Sequence, residues 1–196
     1  MFTGIVAAMG RIGAVEQTTT GRRLLVEEPI LFSDRVVGDS VAVNGVCLTA
    51  VEVADGSVAV EVVQESLDRS NLGTLAVGAT VDLERPMAAS GRFDGHIVQG
   101  HVDGVGTVQS IKGEGEARRL RIAIPPTLAK YVVEKGSITV DGVSLTITAV
   151  GTEPWFEIVL IPHTLDVTVL GHRDVGDLVN LEMDVLAKYV ERLMNK

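Results

Sequence analysis

One hexapeptide occurs twice in this 196-residue chain, as Asn44-Gly45-Val46-Cys47-Leu48-Thr49 and as Asp141-Gly142-Val143-Ser144-Leu145-Thr146. Each copy opens on a dipeptide that favours the tight turn of a two-residue β-hairpin, then enters a β-branched run. The approaches match as well, Ser40-Val41-Ala42-Val43 against Ser137-Ile138-Thr139-Val140. Two further blocks repeat in the same order. Thr3-Gly4-Ile5-Val6 corresponds to Gln99-Gly100-His101-Val102, and Gln64-Glu65-Ser66-Leu67-Asp68 to Pro162-His163-Thr164-Leu165-Asp166. The offset drifts from 96 through 97 to 98, as loop insertions between duplicated units produce. Three ordered blocks mark an internal duplication. The chain therefore folds as two similar units of about 100 residues, an ordinary domain size.

Both halves read as mainly β. The runs 15–28, 39–43, 46–54 and 57–63 of the first half are echoed by 120–124, 137–140, 143–150 and 155–161 of the second. About six short strands in each half predict a small closed Greek-key barrel, which leaves no sheet edge to aggregate. The opening Met1-Phe2-Thr3-Gly4-Ile5-Val6 also reads as a strand, and short helical turns are expected at 29–35 and 126–133, the second ending before Gly136. The expected organisation is a first barrel over 1–88, a linker over 89–95, a second barrel over 96–183 and a C-terminal α-helix over 184–196. In that helix Asp184 is placed to cap the N-terminus. Val185, Leu186, Tyr189, Val190, Leu193 and Met194 form one apolar face with no counterpart in the first half. Such a short helix needs a partner surface, which favours self-association.

Charge and composition narrow the partners. The net charge is −9, Lys and Arg are scattered and aromatics make up 4%, so neither a basic nucleic-acid stripe nor a base-stacking platform is present. No apolar run approaches the roughly 18 residues of a membrane span. The N-terminus lacks a signal-peptide pattern, and a single cysteine fits a reducing compartment, so the cytoplasm is expected. A small molecule or another copy of the chain is the expected partner.

Few polar side chains carry a chemical signature. Cys47 and Thr49 share one strand face; a free thiol there acts either as a small buried hydrophobe or, given a neighbouring base or cation, as a nucleophile. His96 and His101, five apart, fall on opposite faces of an expected strand, and four His with one Cys give no close metal-ligand spacing. His101 stands out because Ile5 fills its place in the first half. The glycines at 4, 100, 104 and 106 lack a phosphate loop's strand-loop-helix setting. Spacing alone thus yields two similar pockets for two similar ligands.

The segments Met1-Phe2-Thr3-Gly4-Ile5-Val6, Asn44 to Thr49, His96-Ile97-Val98-Gln99-Gly100-His101-Val102-Asp103-Gly104, Asp141 to Thr146 and Ile161-Pro162-His163-Thr164-Leu165 resemble the riboflavin synthase α-chain family. The resemblance spans both halves. It implies a homotrimer of two-barrel subunits, each barrel binding one 6,7-dimethyl-8-ribityllumazine. Four-carbon transfer between the two molecules then gives riboflavin and 5-amino-6-(D-ribitylamino)uracil, with no metal or organic cofactor. An association with lumazine synthase is left open by the resemblance. The alternative it brings is a non-catalytic lumazine- or flavin-binding protein, an antenna or a store. Carried over by residue, the first pocket would use Gly4, Ile5, Val6, Cys47, Leu48, Thr49, Glu61, Val62, Val63, Gln64, Glu65 and Ser66. The second would use Gly100, His101, Val102, Lys135, Ser144, Leu145, Thr146, Val159, Leu160, Ile161, Pro162, His163 and Thr164. The family pattern points to Phe2, Ser40, Cys47, His101, Thr146 and Asp184 for catalysis. His101 would move a proton at the acidic 7-methyl group with help from Thr146, and Ser40 or a water near Cys47 would add to the electrophilic ring carbon.

Overall fold

The structure is a computed structural model that describes residues 1–194. Its strands form two closed six-stranded antiparallel barrels. In the first, β1 (Ala8–Gln17), β2 (Gly21–Glu27), β3 (Ser40–Val43), β4 (Val46–Ala54), β5 (Ser57–Val63) and β6 (Thr80–Glu84) run round the barrel in the order β1-β2-β5-β4-β3-β6. In the second, β7 (Gly104–Glu114), β8 (Ala117–Ala123), β9 (Ser137–Val140), β10 (Val143–Val150), β11 (Trp155–Leu160) and β12 (Leu178–Met183) repeat that topology. Alternation decides which side chains fill each barrel. Val58, Val60 and Val62 of β5 are at most 1% exposed, whereas Glu61 and Val63 on either side of Val62 face out. Burial of one such Val or Leu contributes roughly 1.5–3 kcal/mol, and Ile158 with Leu160 repeats the pattern in the second barrel. Register shifts at Ile12/Ala14 and Ala50/Glu52 recur at Val108/Ser110 and Ile147/Ala149, so the bulges that bend the strands into closure are duplicated too.

Several sequence expectations need correction. Residues 1–6 and 96–102 are not strands; they touch each other through one antiparallel bridge, Phe2 to Val98. The amide groups a strand would need are taken instead by buried carboxylates. The run 15–28 breaks at Thr18–Thr20, where Thr18 N–H donates to the Gly21 carbonyl. The short helical turns expected at 29–35 and 126–133 are found as turns over 29–34, where Phe32 N–H donates to the Glu28 carbonyl at 3.2 Å, and as a 3-10 helix at Pro126–Tyr131. Two short helices went unforeseen, α1 (Gln64–Arg69) and α2 (Pro162–Val167), each followed by a 3-10 turn. The C-terminal helix α3 (Val185–Met194) is capped as expected, with Leu186 N–H donating to Asp184 Oδ1 at 2.9 Å. Positions 195 and 196 of the expected helix lie outside the described residues.

The barrels meet through the repeated hairpin turns. Asn44 (φ 45°) and Gly45 (φ 78°) abut Asp141 (φ 47°) and Gly142 (φ 88°). A Cβ on Gly45 would lie 2.7 Å from the Gly142 nitrogen, and one on Gly142 2.8 Å from the Gly45 nitrogen, so the contact requires glycine on both sides. Buried polar groups surround it. Asn180 Nδ2–H donates to the Asn44 carbonyl at 2.8 Å, Val169 N–H to Asp82 Oδ1 at 2.9 Å, and Arg173 pairs with Asp141 at 2.6 Å. Burial pushes Asp82 up to about 8, with Asp141 adding repulsion and the Val169 N–H and Arg173 opposing it. Between about pH 4 and pH 8 the folded chain therefore holds a proton that the unfolded chain releases, so this group's contribution to stability falls as pH rises through that window. The equivalent position in the second barrel is Asn180, an uncharged residue of the same shape. Asp82→Asn is expected to flatten the decline in stability between about pH 5 and pH 8.5 and to stabilise the protein at the alkaline end. Urea unfolding at several pH values checks this; parallel wild-type and variant curves would refute it.

Candidate functional site

Each barrel carries a cleft where its short helix meets the start of the strand after the repeated turn. In the first barrel, Val46 and Cys47 of β4 and Glu65, Ser66, Arg69 and Ser70 at α1 line about 230 Å³. In the second, Val143 and Ser144 of β10 and His163, Thr164, Val167 and Thr168 at α2 line about 140 Å³. The two sets correspond residue by residue: Cys47 to Ser144, Glu65 to His163, Ser66 to Thr164, Arg69 to Val167 and Ser70 to Thr168.

The loops that complete the clefts are exchanged between the barrels. Gly100, His101 and Val102 complete the first cleft, and Gly4, Ile5 and Val6 the second, the reverse of the expected grouping. Cys47 N–H donates to the Gly100 carbonyl at 2.9 Å, and Ser144 N–H to the Gly4 carbonyl at 2.7 Å. Val102 packs against the first barrel's core and Val6 against the second's. Both glycines have φ 78°, and a Cβ on either would lie about 2.5 Å from Cys47 Cβ or 2.6 Å from Ser144 Cβ.

Two buried carboxylates at the ends of β6 and β12 hold these loops. Glu84 accepts from Thr3 N–H (2.7 Å), Thr3 Oγ1–H (3.0 Å) and Gly4 N–H (3.0 Å). Glu182 accepts from Gln99 N–H (2.7 Å) and His101 N–H (2.8 Å). Burial raises the pKa of both above the usual carboxylate range, while the loop N–H groups pull it down; Lys188 of α3 pulls on Glu182 as well. Lys188 also pairs with Asp103 at 2.6 Å, which ties the His101 loop to the C-terminal helix. Sequence reasoning missed both glutamates although their repeat at offset 98 was visible, because nothing local marks a strand-end carboxylate as the acceptor for a loop about 80 residues away.

The other candidates scatter more widely. His101 is exposed on the first cleft, whereas Thr146 is exposed on β10 of the second barrel, so the two do not share a cleft within one chain. Phe2 is fully buried and packs with Ala42, Val98 and Cys47, a place behind the cleft rather than in it. Ser40 pairs across the sheet with Thr49. Leu48, Val62 and Leu160 point into the barrel cores, so only their backbones can face a ligand. Glu61, Val63, Gln64, Ile161 and Pro162 are exposed around the helix starts, with Val159 and Leu145 half-buried beside them. Lys135 takes a left-handed φ of 67° where the first barrel has Gly38, a strained choice for a long side chain. His96, weighed in the sequence only as a ligand partner for His101, lies 2.7 Å from Ser144 Oγ through Nδ1.

A family model described as lumazine binding domain matches twice, over residues 3–86 and 99–184. The chain is 51% identical to the riboflavin synthase of Mycobacterium tuberculosis strain H37Rv, over 99% of this chain and 98% of that one. With the riboflavin synthase of Bacillus subtilis the identity is 41%, over 100% and 91%. Among solved structures, LumP complexed with riboflavin matches with a TM-score of 0.86 at 26% identity, over 93% of this chain and 99% of that one. LumP complexed with 6,7-dimethyl-8-(1'-D-ribityl) lumazine gives 0.84 at the same identity and coverage.

The loop exchange yields a direct test. Gly100→Ala must place a Cβ against Cys47 in left-handed backbone, at about 1–2 kcal/mol from the backbone alone. Gly113→Ala meets nothing within 4 Å. Thermal unfolding should separate the two variants by several degrees; equal melting temperatures would show that the loop does not seat on Cys47.

Proposed function

This chain belongs to the riboflavin synthase family of lumazine-binding proteins, and from that membership we propose how its two barrels divide the work. The protein is a transferase that converts two molecules of 6,7-dimethyl-8-ribityllumazine into riboflavin and 5-amino-6-(D-ribitylamino)uracil by moving a four-carbon unit between them. The observation that supports this most is the pair of equivalent clefts. A reaction between two copies of one compound needs two similar sites, and here both are built, each from strand, helix and exchanged loop.

Each cleft is smaller than the roughly 300–1,000 Å³ of an ordinary ligand pocket. We read each as half of a site, completed when a first-barrel cleft of one subunit faces a second-barrel cleft of another. Two lumazine rings would then stack, and catalysis would be mostly approach and orientation. That arrangement also brings His101 of one chain towards Thr146 of its neighbour. The helix supports the assembly: Leu186, Tyr189 and Leu193 of α3 are each about 60% exposed, an apolar face that nothing in the single chain covers among the described residues. We assign it to a homotrimer in the cytoplasm. No cofactor enters the scheme.

In each cleft, strand-end N–H and C=O groups suit the uracil-like edge of the ligand, and Ser66 or Thr164 with neighbouring polar groups suits the ribityl hydroxyls. His101, exposed and held by Glu182 through its own N–H, is our candidate for proton transfer at the 7-methyl group; Cys47, Ser40 and Asp184 are candidates for the surrounding polar chemistry.

Incubation of the purified protein with the lumazine alone tests the reading. Riboflavin should accumulate without added cofactor; tight binding without turnover would make the chain a storage or antenna protein. His101→Ala is expected to lower kcat at least tenfold with little change in lumazine affinity, and unchanged kcat would remove it from the scheme. Deletion of the residues after Asp184 should give a folded monomer with little activity. A truncated chain that still sediments as a trimer would overturn the role given to α3.

A further inference from the structure

The two clefts differ at their centres. Cys47 is a free, half-buried thiol to which no side chain hydrogen-bonds among the described residues. Its equivalent, Ser144, is held. His96 Nδ1 lies 2.7 Å from Ser144 Oγ, and its Nε2 lies 3.2 Å from the hydroxyl of Thr139, the cross-strand partner of Ser144. The imidazole thus straddles one rung of the second barrel's sheet, with both ring nitrogens engaged.

The backbone fixes the ring there. His96 N–H donates to the Thr3 carbonyl at 3.1 Å, Thr3 is clamped by Glu84, and the Phe2–Val98 bridge closes the segment. A Cβ at Gly95 would lie 2.1 Å from the Thr3 carbonyl oxygen and 2.9 Å from Ser144 Cβ, so the chain passes directly over Ser144. Burial lowers the His96 pKa and Asp184 opposes it, which favours the neutral ring at physiological pH. A neutral imidazole and a hydroxyl can pair in either sense. When Ser144 donates to Nδ1, its oxygen is left as an acceptor for the cleft; when Nδ1–H donates, Ser144 offers its proton to the cleft. Either way the hydroxyl is oriented before a ligand arrives, which saves ordering cost on binding.

We propose that His96 is a positioning residue of the second cleft: it fixes the Ser144 hydroxyl, and through it the polar edge of the heteroaromatic ligand bound there. The assignment rests on the functional reading above. It gives the two clefts distinct chemistry around the same molecule, a loose thiol in one and an oriented hydroxyl in the other.

Steady-state riboflavin formation by the full-length chain tests it with His96→Leu, His96→Asn, Ser144→Ala and the His96→Leu/Ser144→Ala double variant. Each of H96L and S144A should lower kcat/KM about tenfold, the size expected for losing one well-placed hydrogen bond. The double variant should be no worse than the poorer single, because both remove the same interaction. An Asn side chain reaches the Nδ1 position, so H96N should recover most of what H96L loses. Losses that multiply in the double variant, or H96N as poor as H96L, would overturn the proposal. If H96L fails to fold, imidazole 15N shifts decide: S144A should move the His96 Nδ1 resonance, and an unmoved resonance refutes the pairing. A wild-type chain that makes no riboflavin would instead remove the functional reading, while the 15N result would still judge the His96–Ser144 pair.

Discussion

The back-to-back contact of two hairpin turns is the constraint from which the rest of the architecture follows. Gly45 and Gly142 meet backbone to backbone, each in left-handed conformation, at a distance that a single Cβ would destroy. Because the turns are equivalent in the duplicated halves, their contact sets a pseudo-two-fold relation between the barrels. It also buries the residues beside them. Asn44 and Asp141 are fully buried; Asn180 donates across the seam to the Asn44 carbonyl and Asn71 to Asp141, Arg173 pairs with Asp141 from within the second barrel, and Asn44 Nδ2 has no partner among the described residues. An interface this polar depends on geometry more than on apolar area, since each buried group left unpaired costs about 1–3 kcal/mol.

The exchange of loops follows from that relation. With the turns packed together, the strand beginning at Val46 and the strand beginning at Val143 start next to the seam, so Cys47 and Ser144 lie within reach of the opposite half. The loop clamped by Glu84 of the first barrel reaches Ser144, and the loop clamped by Glu182 of the second reaches Cys47. Each cleft therefore depends on both barrels, and neither half alone would build one. The backbone carbonyls of Gly4 and Gly100 are spent on holding the strand ends, so what the loops present to a ligand are the residues that follow, Ile5 and His101.

The strands that were legible in the sequence are those whose pairing is local. β4, β5, β9 and β10 fall where the hairpin turns and alternating Val runs place them, because turn chemistry and period-2 burial are properties of neighbouring residues. Segments 1–6 and 96–102 looked equally extended, yet their hydrogen bonds go to carboxylates about 80 residues away, a decision no local pattern records. The same distance explains why the two loops were grouped with the wrong barrels: resemblance supplies positions, and only the fold says which barrel each loop covers. The helices α1 and α2 are six residues long, too short for a helical period to emerge, although Pro162 at the first turn of α2 was a usable signal.

Duplication by itself would give two identical half-sites, and two identical half-sites cannot assign opposite roles to two identical molecules. The departures from symmetry are accordingly what chemistry has to work with, and they concentrate at one level of the structure. Where the first cleft has a thiol under an imidazole-bearing loop, the second has a hydroxyl under an aliphatic one, Ile5. The histidine of each pair acts from a different side: His101 reaches the first cleft from its exposed rim, and His96 grips Ser144 of the second from behind. Arg69 beside Glu65 in α1 is replaced by Val167 beside His163 in α2, so the charge at the rim differs as well. All of these changes sit on a scaffold whose strands, bulges, turns and clamps remain paired. In the scheme proposed above, symmetry would set the approach of the two rings, and the side chains that break it would decide which of them gives up carbon and which receives it.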